Sequence, residues 1–537
     1  MRAPMALERA PAIAEIAGLL DVEPPEAAET ATAGARLLVV GHPAAENAPL
    51  SLLLAILGEF HRQNLSYCYW KSGQRVAAVL SGEGDLDLLI SRDDQHRAQA
   101  ILLQLGAKQF PDVAGRDHPA VSSYLGYDEP SGRIVHLHLH FRLVVGEKLL
   151  KNWRLPWEAA ILTRAALHPT LPIRVLDPAS EALLLVTRAA VELSRLDPVA
   201  LRHWAATKRK FELDRERFAT RLDRVTLRNR VGEAFAGDLP DMIVNAVFCG
   251  RPLDRQRRLQ RRIRRALAAH RTFNAVEARL RSSTRAVLWV VGGLNERVLH
   301  APRPGRRRAP GGGCVAAVIG VDGSGKTSVV SAIQAWLRPE VDIMPVYFGT
   351  GDGRPALFLL PLKMMVPLIT HLLGTKPRGA SHGRISDRAP GLIYSLLMMV
   401  WAAAVAAEKR IKLRAAHRGA SRGVVVIADR YPQNEDVGYN DGPLLPRLTR
   451  APRWLRRFEA GAYICARRLP PDLVLKLEVT PETAARREPN MDPAVIRQRI
   501  EAARGLTFFG IRIVRVDAEQ PLVEVIRSVK HEIWRLL

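Results

Sequence analysis

One stretch restricts this chain more than any other. Val315–Ile319 is a short, continuous apolar run of the kind that forms a buried parallel strand. Gly320-Val-Asp-Gly-Ser-Gly-Lys326-Thr327 follows directly, and Ser328–Leu337 then takes up helical apolar spacing. This is the glycine-rich phosphate-binding pattern in its strand–loop–helix setting. Glycines let a backbone curl until several N–H groups face one phosphate, and the helix N-terminus adds a favourable dipole. The predicted nucleotide contacts are Gly320, Asp322, Gly323, Ser324, Gly325, Lys326, Thr327 and Ser328. Lys326 is placed to reach the outer phosphates and Thr327 to hold Mg²⁺, so ATP and Mg²⁺ are the expected cofactors. The competing reading, a glycine turn that happens to contain Lys and Thr, does not account for the strand before it and the helix after it. The pattern specifies phosphate binding and leaves kinase and hydrolase both open.

Downstream, two more buried-strand runs are predicted. Val424–Ala428 ends in Asp429-Arg430-Tyr431, placing a carboxylate at the C-terminal end of a parallel strand, where open α/β sheets bind ligands. Asp429 is a candidate for Mg²⁺ or the acceptor, and Arg430 for a phosphate fork, against the alternative of a surface ion pair. Leu473–Val479 leads to Thr480-Pro481-Glu482, a helix start that carries Arg486 and Arg487 towards its end. Arginines there can close over a transferring phosphoryl group or simply be solvated. A final strand, Ile511–Val516, and helix, Leu522–Leu536, complete a pattern of strands alternating with helices. That pattern predicts a parallel sheet with helices on both faces.

Taken together, these residues resemble the thymidylate kinase family over residues 314–537, on the segments 320–328, 426–431 and 471–487. The resemblance implies ATP- and Mg²⁺-dependent transfer to a nucleoside monophosphate, dTMP-like, or a related phosphorylated metabolite. It places Asp322 at the acceptor sugar, Asp429 and Arg430 at the acceptor phosphate and metal, and Arg486 and Arg487 in the lid. The chain departs from the family after its second strand, where Val346–Phe348 runs into a glycine-rich stretch with Arg354 instead of an Arg-Glu-Pro-Gly segment. The element Ala407-Glu408-Lys409-Arg410 aligns only roughly, and Ala356–Leu373 is an apolar insertion.

Ahead of this part lie an Ala-, Pro- and Glu-rich leader (1–46), an α+β region (47–170), a helical region (171–300) and a Pro/Gly/Arg linker (301–313). In the α+β region the sequence predicts a helix over Pro49–Gln63, strands at Tyr67–Trp70 and Leu86–Ile90, and a hairpin of Ser122–Tyr127 with Ile134–Phe141. Asp85 and Asp87, two apart on a strand, share a face and suit divalent metals. With Lys71-Ser72-Gly73 upstream, they resemble the nucleotidyltransferase fold of the polymerase-β type. His138 stands where that pattern has its third carboxylate, which puts two-metal chemistry in doubt. His136, His138 and His140 alternate on one strand face, fit for a transition metal or for a degenerate site.

The expected fold is therefore α/β: a C-terminal P-loop domain with a parallel sheet flanked by helices, preceded by a helical region and an N-terminal α+β nucleotidyltransferase-like domain. Two rival functions stay open. One is nucleotidyl transfer through Asp85 and Asp87, with the P-loop part regulatory. The other is a non-enzymatic, ATP-gated, membrane-associated binding protein. The 79 Lys and Arg against 54 Asp and Glu favour anionic partners, but aromatics are only 6%, too few for a base-stacking platform, so nucleic acid is not expected. The helix predicted over Arg255–His270, with Leu259, Ile263 and Leu267 on one stripe, could meet anionic lipid or simply pack. Two apolar stretches approach the length of a membrane span. Pro355–Gly374 is broken by prolines and charge, and Gly391–Ala407 reads as a buried core helix. The 4 scattered cysteines and the absence of a secretory pattern predict a cytoplasmic protein, with peripheral membrane contact and a homodimer left open.

Overall fold

The first helix, α1 (Ser51–Arg62), forms where Leu53, Ile56, Leu57 and Phe60 recur at helical spacing, and that stripe is fully buried. In the computed structural model, the described residues are 48–537 apart from 114, 119, 147–149, 194–203, 296–300, 350–391, 438–440 and 448–450. The leader, Arg354 and the stretches Pro355–Gly374 and Ala356–Leu373 lie outside them.

Strands β1 (Tyr67–Tyr69), β2 (Leu86–Ile90), β3 (Lys108–Gln109), β4 (Val121–Asp128) and β5 (Arg133–His140) belong to one mixed sheet. Helix α2 (Gln95–Gln104) follows β2 and buries Ala98, Ile101 and Leu102. A small ribbon, β6 (Leu143–Val145) with β7 (Trp153–Leu155), stands apart from that sheet. Strands β8 (Ala166–Leu167) and β9 (Arg174–Val175) complete the sheet in the order β3-β4-β5-β2-β1-β9-β8. The expected hairpin is present: β4 and β5 pair antiparallel from Val121 opposite His140 to Asp128 opposite Arg133. Strand β5 also pairs with β2 in parallel, which sets Asp87 opposite His138.

Helix α3 (Pro178–Glu192) opens on a side-chain cap, with the Asp177 carboxylate accepting from the Ser180 N–H at 2.9 Å and Pro178 in the first turn. The single helix expected over Arg255–His270 is corrected. Its α-helical part is Arg257–Ala266, with a short 3₁₀ turn on either side. The helical part, Arg-Arg-Leu-Gln-Arg-Arg-Ile-Arg-Arg-Ala, is dense in arginines whose mutual repulsion opposes a longer helix. Its stripe of Leu259, Ile263 and Leu267 is buried against α3, and Arg264 Nε donates to the Ala190 carbonyl at 2.8 Å.

The linker expected at 301–313 connects the two sheets but is held on both sides. Val113 N–H donates to Arg306 O at 2.9 Å, Arg308 N–H to Pro111 O at 2.8 Å, and Ala309 N–H to Gly423 O at 2.9 Å. Proline and glycine content alone does not report these partners.

Beyond it, β10 (Cys314–Gly320) runs into α4 (Lys326–Leu337), followed by β11 (Ile343–Tyr347) and the long helix α5 (Leu392–Ala420). Then come β12 (Val425–Asp429), α6 (Arg453–Arg468), β13 (Leu473–Glu478), α7 (Pro481–Arg487), α8 (Pro493–Gly505), β14 (Ile513–Asp517) and α9 (Leu522–Leu536). The five strands are all parallel, in the order β11-β12-β10-β13-β14. This is a mixed α/β fold with a parallel sheet flanked by helices. Strand β10 shows why its sequence is uniformly apolar. Ala316 and Val318 face a core with α4 and α9, whereas Val315, Ala317 and Ile319 face one with α5 and α6.

Gly391–Ala407 is not the wholly buried helix expected. Ala402 and Ala406 are buried, but Leu396 and Val400 are 55% and 46% exposed. Among the described residues, no helix is long and apolar enough to cross a membrane.

The core containing α4 and α9 also takes in Phe110, Leu125 and Tyr127 from the first sheet. Phe110 stacks on Trp534 with ring centroids 6.3 Å apart, and Tyr127 meets Trp336 edge-on at 5.5 Å. Lys108 Nζ donates to the Trp534 carbonyl at 2.7 Å, and Trp534 Nε1 to Gly106 O at 3.3 Å. The two sheets thus share one apolar core.

Candidate functional site

The loop between β10 and α4 turns on glycines. Gly323 and Gly325 have φ of +80° and +85°, a left-handed backbone that side chains resist. Close approach adds a second reason: a Cβ at Gly323 would meet the Ala484 carbonyl oxygen at 3.1 Å, and one at Gly320 the Leu477 carbonyl oxygen at 3.0 Å. Lys326 is buried at the start of α4, its Nζ donating to Val321 O at 2.7 Å and lying 3.8 Å from the Asp322 carboxylate. Burial, and then the nearby Arg430 charge, push its pKa down to about 8. The Ser324 hydroxyl is buried without a hydrogen-bonding partner, Ser328 is half-buried and Thr327 is exposed at the mouth of the loop.

Strand β12 brings Asp429 and Arg430 to the same sheet edge. Asp429 lies opposite Val318 of β10, and the Arg430 N–H donates to Val318 O at 2.9 Å. Burial raises the Asp429 pKa, and its Oδ1 is buried with no hydrogen-bonding partner. Arg430 has φ +68°, an uncommon conformation for a long side chain and one that recurs at functional sites. Its Nη2 donates to Asp322 Oδ1 at 2.9 Å, and its Nη1 stands 3.5 Å from Asp441 Oδ2. Burial alone would lower the Arg430 pKa, but Asp441 and Asp322 overcome it and raise the value.

Two contributors escaped the sequence reading. Arg499, on α8, donates Nη1 to Asp322 Oδ2 at 2.5 Å, so Asp322 sits between two guanidinium groups. Lys409, buried on α5, donates Nζ to the Asp441 carbonyl at 2.8 Å and the Tyr463 hydroxyl at 3.2 Å, anchoring the residue that faces Arg430. The two expected lid arginines diverge. Arg487 donates Nη1 to Gly323 O of the glycine loop at 3.1 Å, whereas Arg486 turns back to Thr483 Oγ1 at 3.0 Å. Both side chains are exposed.

A second cluster lies on the first sheet. Asp85 Oδ1 is 2.8 Å from His136 Nδ1, and Asp87 Oδ1 is 2.9 Å from His140 Nε2 and 3.4 Å from His138 Nδ1. Lys71 Nζ, from the Lys-Ser-Gly turn, is 4.0 Å from Asp87 Oδ2. Burial drives the His140 pKa down to about 3 and lowers that of His136 as well, despite their carboxylate partners. Burial also brings Lys71 to about 8. Residues outside the first sheet reach this cluster: Glu340 Oε2, from the turn between α4 and β11, is 3.6 Å from His136 Nδ1, and Arg307 Nη1 donates to Glu340 at 2.9 Å. The three histidines share a face and meet both aspartates, so the alternation in the sequence corresponds to one constellation.

No protein-family model matches the chain. It is 27% identical to the uncharacterized ATP-binding protein YghS of Escherichia coli K12 over 219 residues, 40% of this chain and 90% of that protein. It is 26% identical to the uncharacterized ATP-binding protein YghR of the same strain over 218 residues, 40% of this chain and 84% of that protein.

Proposed function

We propose that this protein binds ATP at residues 320–328 and transfers the γ-phosphoryl group to a phosphorylated acceptor, a nucleoside monophosphate of the dTMP type or a related metabolite. ATP binding is supported by the names of both relatives together with the glycine loop and buried Lys326. One observation carries the transfer reading: Asp322, Asp429 and Arg430 gather at the edge where the loop opens, with Arg499 completing the group. A hydrolase needs only the loop and a water; paired guanidiniums on a loop carboxylate suit a second anionic substrate.

In this reading Lys326 exchanges the Val321 carbonyl for the outer phosphates of ATP. Arg430 and Arg499 hold the acceptor phosphate, and Asp322 aligns the acceptor's hydroxyls. An acceptor phosphate oxygen attacks the γ-phosphorus, the bond to the β–γ bridging oxygen breaks, and ADP leaves. Arg487, already against the loop, moves onto the developing charge, and Arg486 joins it by swinging from Thr483. The unpartnered Asp429 Oδ1 and the exposed Thr327 hydroxyl fit a hard cation, so these two would hold Mg²⁺. Bound there, Mg²⁺ would neutralise charge on the phosphate oxygens. Positioning and electrostatics supply most of the rate.

The test is ATP turnover by the purified protein over a panel of nucleoside monophosphates and sugar phosphates, beside Lys326→Ala. We expect turnover with one acceptor class and a loss of about a hundredfold or more in the variant. Tight ATP binding without turnover on any acceptor would overturn phosphoryl transfer and leave a nucleotide-gated protein.

A further inference from the structure

The histidine and aspartate cluster on the first sheet plays no part in that reaction, and its geometry points to a site of its own. We propose that Asp87, His138 and His140 bind one divalent transition-metal ion, of the zinc, cobalt or manganese class.

The three side chains come from two neighbouring parallel strands. Asp87 on β2 is directly opposite His138 on β5, and His140 follows two residues later on the same face. Their ligand atoms all lie within 4.8 Å of one another. Asp87 Oδ1 is 2.9 Å from His140 Nε2 and 3.4 Å from His138 Nδ1. Nitrogen and oxygen ligands about 2.1 Å from one ion stand roughly 3.0 to 3.4 Å apart in octahedral and tetrahedral sites, so both aspartate–imidazole spacings already match those of a ligand set. The two oxygens of Asp87 divide their work: Oδ2 faces Lys71 at 4.0 Å, while Oδ1 faces the imidazoles. His140 is 1% exposed and fixed edge-on against the Trp70 ring at 4.9 Å, so it is oriented before any ion arrives. Asp85 and His136 form a second group that shares His138 and border the site without being required for it.

The donor chemistry selects the metal. Mg²⁺ demands oxygen ligands, and here two of the three donors are imidazole nitrogens. A set of two imidazoles and one carboxylate instead suits borderline transition metals, with coordination positions left for water or an anionic ligand. A purely structural role, in which the histidines only hydrogen-bond the aspartates to stiffen the sheet, predicts no metal affinity at all.

The experiment titrates Co²⁺ and Zn²⁺ into the full chain after stripping with a chelator, reading visible d–d absorption for Co²⁺ and heat for Zn²⁺. We expect one equivalent per chain, retained in millimolar Mg²⁺. His138→Gln, at a partly exposed position where the fold can tolerate change, should weaken binding at least about tenfold with its melting temperature little altered. Asp87→Asn should do the same. Lys326→Ala should bind Co²⁺ as the parent does, which separates this site from the phosphate loop. Absence of saturable absorption and heat, displacement by equimolar Mg²⁺, or unchanged affinity in His138→Gln would each overturn the proposal.

Discussion

Arg499 shows what a single side chain contributes here. Asp322 sits between two guanidiniums, so a second anion held beside it would meet Arg430 and Arg499 together. Truncating Arg499→Ala removes one of these guanidiniums while leaving Lys326 and the glycine loop in place. We expect kcat/KM for the acceptor to fall about tenfold or more, with ATP affinity changed less than about twofold, in steady-state kinetics that vary each substrate in turn. An effect confined to ATP would move Arg499 out of the acceptor site. Asp322 was legible in the sequence because it lies inside the loop pattern. Arg499 was not, because its importance comes from where α8 docks. A signal did exist: Ile496, Ile500 and Ala503 form the buried stripe of α8, and Arg499 is buried beside them, a charge on an apolar face.

At the level of elements, Asp128 ties the start of α1 to the β4–β5 hairpin. Its Oδ1 accepts from the Ser51 hydroxyl at 2.6 Å and the Leu52 N–H at 2.8 Å, an N-terminal cap supplied from another element. Burial alone would raise its pKa, but hydrogen bonds from Ser131, Ser51 and Leu52 outweigh burial and hold it below the ordinary value. A carboxyl held low in the folded state stabilises above its unfolded pKa, and that stability is lost as pH falls through the folded value. Asp128→Ala should therefore cost about 1–3 kcal/mol at pH 7, with the difference from the parent shrinking below about pH 4, in urea melts at the two pH values. The hairpin itself was readable from its alternation and its Asp-Glu-Pro-Ser-Gly turn. The parallel pairing of β2 with β5 was not, since it depends on how a long connection returns the chain to the sheet. That pairing, rather than the spacing within either strand, brings the aspartates to the histidines.

Across the whole molecule, the two sheets share a core that neither could close alone. Trp534 lies between Phe110 and Tyr127, with its ring centroid 6.0 Å from that of Tyr127. Trp534→Ala should cost about 3–5 kcal/mol. Because the cluster spans both sheets, tryptophan fluorescence and far-ultraviolet circular dichroism should follow one coincident unfolding transition in parent and variant; two separated transitions would show that the sheets unfold independently. The Pro/Gly/Arg composition of 301–313 was visible in the sequence, yet the packing of the two sheets on each other was not. An aromatic residue announces that it will be buried, and nothing in its immediate sequence says against what.

The contact between Lys108 and Trp534 joins residues 426 positions apart. During synthesis β3 and β4 emerge long before α9 exists, so Phe110 and Tyr127 must wait uncovered while most of the chain is made. The hairpin can form early from its own local pairing, but the apolar face it presents is covered first by α4, with Trp336 against Tyr127, and closed only when α9, one of the last helices to appear, brings Trp534. A ribosome that stalls before α9 would release a chain with a finished sheet edge and an open, sticky flank, the kind of species chaperones retain and proteases remove.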